Sequence, residues 1–274
     1  MSGAWPIILR AGDVPTADIE RALGKRVPEI DVRADERLQE LVRGPWRILQ
    51  KTTGFRYSID ALLLAGTVDA GEVDKVIDIG TGSGVIPIFL AARGARDVTG
   101  VENLPELADM ARRSVALNAL TDRARIVQGD IRRVADLFPA ASFDVVVSNP
   151  PYFRVGTGHA SPDETRAASR YEITLSLAEL VGAAAYLARE GGRVFLIHIA
   201  SREQELLNEL GAANFSPTHL CRVEPKRGDD PRFVLVRAVK GGDAACETLP
   251  PLVLHEESGE YTNAVNALIA TQRQ

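Results

Sequence analysis

The stretch KVIDIGTGSGVIPIFLAARG, residues 75–94, decides the fold of this chain. Val76, Ile77 and Ile79 near its start are apolar and β-branched, as in a strand buried on both faces of a sheet. Three alternate glycines, Gly80, Gly82 and Gly84, then allow a tight turn and the close approach of a ligand. The residues after the turn are predicted to form a helix that ends at Gly94. A buried strand, a glycine turn and a helix together indicate the first unit of an α/β sheet.

The same alternation continues toward the C-terminus. We predict strands at 97–102, 124–130, 143–149, 192–200, 216–224 and 231–240, and helices at 104–120, 175–190, 201–213 and from about Thr262. Strands that alternate with helices favour a largely parallel sheet with both faces covered. No helix fits between the last two strands, so we expect them to pair as a hairpin. The predicted fold class is therefore α/β: a Rossmann-like, seven-stranded, mostly parallel sheet with a terminal antiparallel β-hairpin and helices on both faces.

The composition limits the classes of function. The chain has 274 residues, 45% of them hydrophobic, and a net charge of -5. A strongly basic nucleic-acid binder is not indicated by this total, and any such surface must be local. Two cysteines and four histidines form no cluster at metal spacing, so we expect no disulfide, no metal site and a cytoplasmic protein. Because no apolar run approaches about 18 residues, we expect no membrane span.

Three acidic residues stand near the carboxyl ends of the first three strands of this series. Asp78 lies two residues before Gly80, Glu102 ends the next strand, and Asp130 ends the third. A glycine turn alone is weak evidence for a ligand site, because any strand-to-helix turn can hold glycines. A carboxylate beside the turn disfavours a bound pyrophosphate and suits a cationic ligand. Glu102 could accept both hydroxyls of a ribose. Asp130 could accept from an adenine amino group. The alternatives are a solvated strand end for Glu102 and a helix N-cap for Asp130.

These motifs resemble a known family. DIGTGSG, then VE, GD and NPPY, on seven strands with a terminal hairpin, are similar to class I S-adenosylmethionine-dependent methyltransferases. The resemblance implies that S-adenosylmethionine is the cofactor and that Gly80 and Gly82 border its methionine part. It also implies that Glu102 holds the ribose and that Asp130 lies near the adenine. The positive sulfonium of this cofactor accounts for Asp78, where a phosphate would not.

NPPY, residues 149–152, follows the fourth strand of this series and is predicted to be the catalytic motif. The side-chain oxygen of Asn149 and the carbonyl of Pro150 can accept the two hydrogens of a planar amino group, beside the cofactor that Asn149 also borders. This arrangement points the nitrogen lone pair at the methyl group, so position and electrostatics carry the transfer. Tyr152 can stack on a flat substrate. A plain strand terminator with an Asx turn is the alternative, but it requires neither the second proline nor the tyrosine.

A narrower resemblance concerns the flanking segments. LVRGPWRILQKTTGFRYSIDALLLAG, LADMARRSVALNAL, SRYE and GEYTNAV resemble bacterial tRNA adenine-N6 methyltransferases that modify the base 3′ to the anticodon of a valine tRNA. The resemblance implies a tRNA partner and adds Ser58 and Asp60 to the cofactor-binding residues; a helix cap is the alternative for both. Residues 1–45 are then expected to be an N-terminal extension and lead-in, and 46–274 the methyltransferase domain.

Contacts to the substrate are predicted on two loops. Residues 222–240 hold six basic and three acidic side chains, a local balance of +3 in a chain of net charge -5. Lys226 and Arg227 in this segment are predicted to contact phosphates, with a solvated loop as the alternative. The other predicted substrate-binding residues are Pro151, Phe153 and Arg154.

Four functions are compatible with these motifs. Methylation of an adenine in tRNA is the leading hypothesis, and methylation of a protein glutamine is the second, since NPPY occurs in both kinds of enzyme. DNA adenine methylation usually brings a target-recognition domain, which this sequence does not show. A cofactor-binding module without catalysis would have no use for Asn149 and Tyr152. A monomer is favoured.

Overall fold

The computed structural model joins the strand–turn–helix units into one sheet of nine strands. A separate hairpin of two strands precedes that sheet. The structure describes residues 24, 26, 28–41, 45–53, 57–150, 152 and 175–270. In chain order the strands are β1 (Glu36–Glu40), β2 (Arg47–Lys51), β3 (Lys75–Ile79), β4 (Asp97–Glu102), β5 (Ala124–Gln128), β6 (Phe143–Ser148), β7 (Ala188–Ile199), β8 (Phe215–Glu224), β9 (Phe233–Lys240), β10 (Glu247–Thr248) and β11 (Leu252–Val253).

The order of strands confirms the predicted Rossmann-like sheet. It runs β10-β8-β9-β7-β6-β3-β4-β5, with β11 also paired to β8. Strands β3 to β7 are mutually parallel where they pair, whereas β9 is antiparallel to both β7 and β8, as the terminal hairpin requires. The seven predicted strands are present, and the strand count differs only by β10 and β11. Each of these has two residues, too few to show an alternating pattern in the sequence.

Helices cover both faces of the sheet, as predicted. They are α1 (Ile59–Thr67), α2 (Val85–Ala92), α3 (Pro105–Leu117), α4 (Val134–Leu137), α5 (Leu177–Leu187), α6 (Glu203–Ala212) and α7 (Asn263–Leu268). One core contains residues of α1, α2, α3 and α7, and the other contains residues of α5 and α6. Val145 and Val147 of β6 belong to the first core and Val146 to the second, since successive side chains of a strand point to opposite faces.

The hairpin of β1 and β2 packs on α3 and was not predicted. Leu38 and Leu49 face each other across the hairpin and join a small core with Leu107 and Met110 of α3. Polar contacts support the same packing, because the amide of Arg47 donates to the side chain of Asn118 at 2.8 Å. The predicted boundary at residues 45 and 46 falls between these two paired strands, and the extent of an N-terminal extension stays a prediction.

Candidate active site

The glycine turn lies between β3 and α2, at the carboxyl edge of the sheet. Gly80, Gly82 and Gly84 have φ angles of 74°, 57° and 91°, in the left-handed region that favours glycine. A Cβ atom at Gly84 would lie 3.2 Å from that of Ala111, whereas one at Gly80 would meet no atom of the described residues within 4 Å. The amide of Gly80 donates to the carbonyl of Val101 at 2.9 Å. The turn is therefore fixed to β4 while the space above Gly80 stays open for a ligand.

Asp78 is the buried charge of this edge. Its side chain is 0% exposed, and among the described residues neither carboxylate oxygen has a hydrogen-bond partner. Burial raises the pKa of Asp78 to about 7; the nearby Thr81 hydroxyl lowers it and the Glu102 carboxylate adds to the rise. A buried carboxylate without a partner is costly. A cationic or donor group placed here would relieve that cost, so Asp78 fits the amino and sulfonium groups of S-adenosylmethionine.

Glu102 closes the turn from the end of β4. One of its carboxylate oxygens accepts from the amide of Gly82, and the other from the amide of Leu104, both at 2.9 Å. Burial raises the pKa of Glu102, while these backbone donors act in the opposite direction. Each carboxylate oxygen has a second lone pair. The held side chain can therefore accept two further hydrogen bonds, which suits the two hydroxyls of a ribose.

Asp130 occupies the position of a helix cap. Its side chain accepts from the amide of Arg132 at 3.0 Å, at the start of a one-turn 3₁₀ helix, Ile131–Arg133. The Arg132 guanidinium also pairs with it, and this contact lowers the pKa of Asp130. The capping alternative is thus what the structure shows, and a contact with adenine stays a prediction.

A connected series of polar side chains begins at Asn149, just after β6. The Tyr152 hydroxyl lies 2.6 Å from Oδ1 of Asn149 and is also hydrogen-bonded to Oδ2 of Asp60. The Ser58 hydroxyl donates to Oδ1 of Asp60. Ser58 stands at the N-cap position of α1 but makes no capping hydrogen bond with its side chain. Ser58 and Asp60, which the resemblance added to the cofactor-binding residues, are therefore linked by hydrogen bonds to the tyrosine of NPPY.

The ring of Tyr152 is held by residues that the sequence analysis missed. It packs edge-on against His198 and at a tilt against Phe233, with ring centroids 5.5 Å apart in each case. The guanidinium of Arg202 donates to the carbonyl of Tyr152 at 3.1 Å. Burial and the Asp60 carboxylate raise the pKa of Tyr152 well above its usual value, so its hydroxyl stays protonated. Stacking of this ring on a flat substrate stays a prediction.

His198 carries a signal that could have been found in the sequence. It is a polar residue near the end of an apolar strand, at the edge where the other site residues lie. It is 1% exposed, and burial lowers the pKa of His198 to about 4. The imidazole is therefore neutral at physiological pH and acts as a wall of the Tyr152 pocket.

Gln50, near the end of β2, links the glycine turn to the start of α1 and was not predicted from the sequence. Its amide nitrogen donates to the Ser83 hydroxyl in the glycine turn at 2.8 Å. Its amide oxygen accepts from the backbone of Tyr57, next to Ser58, at 3.2 Å. One buried side chain thus fixes the glycine turn relative to the start of α1.

The predicted substrate contacts have mixed outcomes. Among the basic residues of 222–240, ion pairs reduce the excess positive charge: Lys226 with Glu257 at 3.6 Å, Arg222 with Glu203 at 2.6 Å, Arg237 with Asp69 at 3.4 Å, and Lys240 with Glu190 at 3.6 Å. Arg227 is exposed and has no ion pair within the described part of the chain. Contacts of Lys226 and Arg227 with phosphates stay a prediction. Pro151, Phe153 and Arg154 lie outside the described residues.

Two general features bear on the kind of site. Among the residues that the structure describes, no three His, Cys, Asp or Glu side chains are grouped so that they could hold a metal ion. Of the helices described, none has the length and apolarity that crossing a membrane requires.

Comparison with known proteins gives consistent relatives. The family model of a methyltransferase domain matches residues 76–170. The tRNA1(Val) (adenine(37)-N6)-methyltransferase of Porphyromonas gingivalis is 32% identical over 223 residues, which cover 78% of this chain and 86% of that protein. The enzyme of the same name from Tolumonas auensis is 29% identical over 193 residues, covering 70% of this chain and 79% of that protein.

Solved structures share the fold. A structure titled as a predicted O-methyltransferase from Agrobacterium tumefaciens has a TM-score of 0.64 and 28% identity, and covers 78% of this chain and 99% of that one. Geranyl diphosphate C-methyltransferase from Streptomyces coelicolor, solved with S-adenosyl-L-homocysteine, has a TM-score of 0.50 and 15% identity, and covers 66% of this chain and 78% of that one. At this identity, the second likeness concerns the fold alone.

Proposed function

Because this chain belongs to the tRNA1(Val) (adenine(37)-N6)-methyltransferase family, we propose that it transfers a methyl group from S-adenosylmethionine to the exocyclic nitrogen of an adenine in tRNA. The base is adenine 37 of tRNA1(Val), as in the names of its relatives. The observation that carries the proposal is the position of Asn149. It follows β6, next to β3 with its buried Asp78, so an amide faces the edge where a cofactor would bind.

The cofactor side of the proposed site consists of Asp78, the glycine turn and Glu102, and it binds and orients S-adenosylmethionine. Asp78 supplies a negative charge that no side chain in the described part of the protein hydrogen-bonds, and this charge would attract the amino and sulfonium groups of the cofactor. Glu102, fixed by the amides of Gly82 and Leu104, offers its remaining lone pairs to the ribose hydroxyls. Bound S-adenosylmethionine supplies an electrophilic methyl group on a positively charged sulfur.

The acceptor side positions the amino group. The side-chain oxygen of Asn149 and the carbonyl of Pro150 are the two acceptors proposed for its two hydrogens. A nitrogen held in this way keeps its lone pair perpendicular to the plane of the base, aimed at the methyl group. No strong base is required, because orientation and electrostatics lower the barrier. The proton is lost after the methyl group has been transferred.

The remaining properties follow from the same proposal. We propose that residues 46–274 carry the methyltransferase domain, that the protein acts as a monomer in the cytoplasm, and that tRNA is its partner. The exposed Arg227 and the weakly paired Lys226 are the proposed contacts to phosphates near the target base.

Transfer of labelled methyl groups to total tRNA, ribosomal RNA, DNA and protein in parallel tests the proposal. We expect label in tRNA, recovered as N6-methyladenosine after nucleoside analysis. A tRNA1(Val) transcript with guanine in place of adenine 37 is the matched control and should accept no label. Label in protein glutamine, which offers a planar amide to the same acceptors, would contradict the proposed substrate and leave the methyltransferase chemistry intact.

A further inference from the structure

The Tyr152 hydroxyl has more acceptors around it than it has hydrogens. It is bonded to Oδ2 of Asp60 and lies 2.6 Å from the side-chain amide of Asn149. A phenol carries one hydrogen and can donate to one acceptor only. The Tyr152 hydroxyl oxygen and an amide oxygen cannot lie 2.6 Å apart without a hydrogen atom between them. Only one of the two neighbours can therefore receive the Tyr152 proton, and the other must donate to Tyr152.

Asp60 is the stronger acceptor. It lies in the first turn of α1, where the helix dipole favours a negative charge, and its side chain is 4% exposed. Ser58 already donates to its other oxygen. A buried carboxylate oxygen left without a donor is costly, and hydrogen bonds to a charged acceptor are stronger than those to a neutral amide. The Tyr152 hydroxyl therefore keeps its proton and donates it in a hydrogen bond to Asp60.

The amide of Asn149 must then donate. The oxygen and nitrogen of a side-chain amide have the same shape, so the available protons decide which of them faces Tyr152. With the Tyr152 proton on the Asp60 side, the nitrogen of Asn149 faces the Tyr152 oxygen. The Asn149 oxygen then points to the opposite side, where the substrate amino group needs an acceptor. The reverse orientation would set one NH2 group against another.

We propose that Asp60 is a positioning residue for methyl transfer, which acts through Tyr152 to turn the carbonyl of Asn149 toward the incoming amino group. This role differs from the cofactor contact that the sequence predicted for Asp60. The inference rests on the proposed function for the nature of the acceptor, since only a donor such as an amino group requires this orientation. Ser58 supports the same orientation by holding the other oxygen of Asp60.

Three variants and their combination test the inference on whichever acceptor the wild-type protein labels. Asp60→Ala should lower kcat about 10- to 100-fold, because a misoriented Asn149 opposes the substrate. The dissociation constant of S-adenosylmethionine, measured by calorimetry, should stay within about threefold of the wild-type value, because both oxygens of Asp60 are already bonded to Ser58 and Tyr152. Asp60→Asn keeps an oxygen that can accept from Tyr152, but this oxygen is no stronger an acceptor than that of Asn149, so kcat should recover only in part, to within about tenfold of wild type.

A double-mutant cycle separates positioning from a structural role. In the Tyr152→Phe background the link to Asn149 is already absent, so adding Asp60→Ala should lower kcat by no more than about twofold. Asp122→Ala removes an exposed carboxylate just before the amino end of β5 and is the matched control, which should leave kcat within about twofold of wild type. Thermal unfolding of each variant checks that the fold is retained, and Asp60→Asn remains informative if Asp60→Ala fails to fold.

Two results would overturn the inference. If Asp60→Ala and Tyr152→Phe have independent, multiplying effects on kcat, Asp60 does not act through Tyr152. If Asp60→Ala weakens cofactor binding and leaves kcat unchanged, Asp60 is a cofactor ligand as the sequence predicted. Failure of the proposed function would instead appear in the wild-type protein, as absence of N6-methyladenosine from labelled tRNA.

Discussion

The residues proposed to bind the cofactor lie close together in the sequence, whereas those proposed to bind the methyl acceptor come from distant segments of the chain. Asp78, Gly82 and Glu102 belong to one strand–turn–helix–strand unit, and the amides of that unit hold the Glu102 carboxylate. Tyr152, in contrast, is bonded to Asp60, which lies 92 residues earlier, and packs against Phe233 of β9. The contacts proposed for the cofactor thus come from one local segment of the chain, whereas those proposed for the methyl acceptor join segments that are far apart in the sequence.

The largest effect is expected from Asn149→Ala on the acceptor side. Methyl transfer should fall by about 1,000-fold or more, because the variant removes an acceptor that acts in the transition state. Single-turnover transfer of labelled methyl measures this loss. The dissociation constant of S-adenosylmethionine should stay within about tenfold, because Asn149 touches the amino group more than the cofactor. Near-normal turnover would show that Asn149 does not bind the amino group of the substrate.

Asp78→Asn should weaken cofactor binding by about 10- to 100-fold at pH 8, because it removes a charge that attracts the cofactor in a buried place. In the wild-type protein the pKa of Asp78 is about 7, so its carboxylate is protonated below that pH. Affinity for S-adenosylmethionine should therefore fall as the pH drops through about 7, and the variant should lack this dependence. Calorimetry between about pH 6 and pH 8.5 measures both. Identical curves for the two proteins would show that Asp78 is not part of the cofactor side.

The same substitution should stabilise the protein without cofactor. The pKa of Asp78 rises from 3.8 to about 7 on folding, so its favourable contribution is complete below 3.8 and is lost as the pH rises to 7. At pH 8 the buried charge lowers the stability of the folded state, and Asp78→Asn removes that cost. We expect Tm to rise by about 2 °C or more. Thermal unfolding with and without S-adenosylmethionine is the measurement, and the wild-type protein should gain more from the cofactor.

The smallest effect is expected at the basic hairpin. Charge reversal of Lys226 and Arg227 together should weaken tRNA binding by a few-fold, since Lys226 is already paired with Glu257. The slope of affinity against salt should flatten by about one unit for each phosphate that the protein no longer neutralises. Arg96→Glu is the matched control, because Arg96 is exposed and adjoins the opposite, amino end of β4. An unchanged salt slope would show that the loop between β8 and β9, which holds Lys226 and Arg227, is solvated and does not contact the phosphates of tRNA.

The parallel part of the fold could be predicted because each of its strands is a short apolar run followed by a helix. The β1–β2 hairpin was not predicted, because ERLQE and RILQK mix charged and apolar residues, and the Gly-Pro pair between them marks a turn without showing which segments pair. Their apolar side chains are buried only because α3 covers them. That packing joins segments about 70 residues apart and has no local signal in the sequence.

The site divides in the same way. Asp78 and Glu102 could be found from their places beside a glycine turn and at a strand end, and the structure brings both to that turn. The N-cap alternative for Asp130 could also be predicted from its position before a short helix. The link between Asp60 and Tyr152 could not be predicted, since it depends on how α1 lies against the sheet. A motif such as NPPY specifies the kind of chemistry, but not the neighbours that orient its side chains.

The pairing of β1 with β2 has a practical consequence. A shortened chain that begins at residue 46, the predicted start of the domain, would keep β2 without the strand that satisfies its main-chain groups. Ile48 and Leu49, both fully buried in the structure, would then lie in or beside an open edge. Unpaired edges of this kind are templates for strand addition between molecules. We therefore expect such a truncated protein to be more prone to aggregation than the full chain, although it would retain every residue of the proposed site.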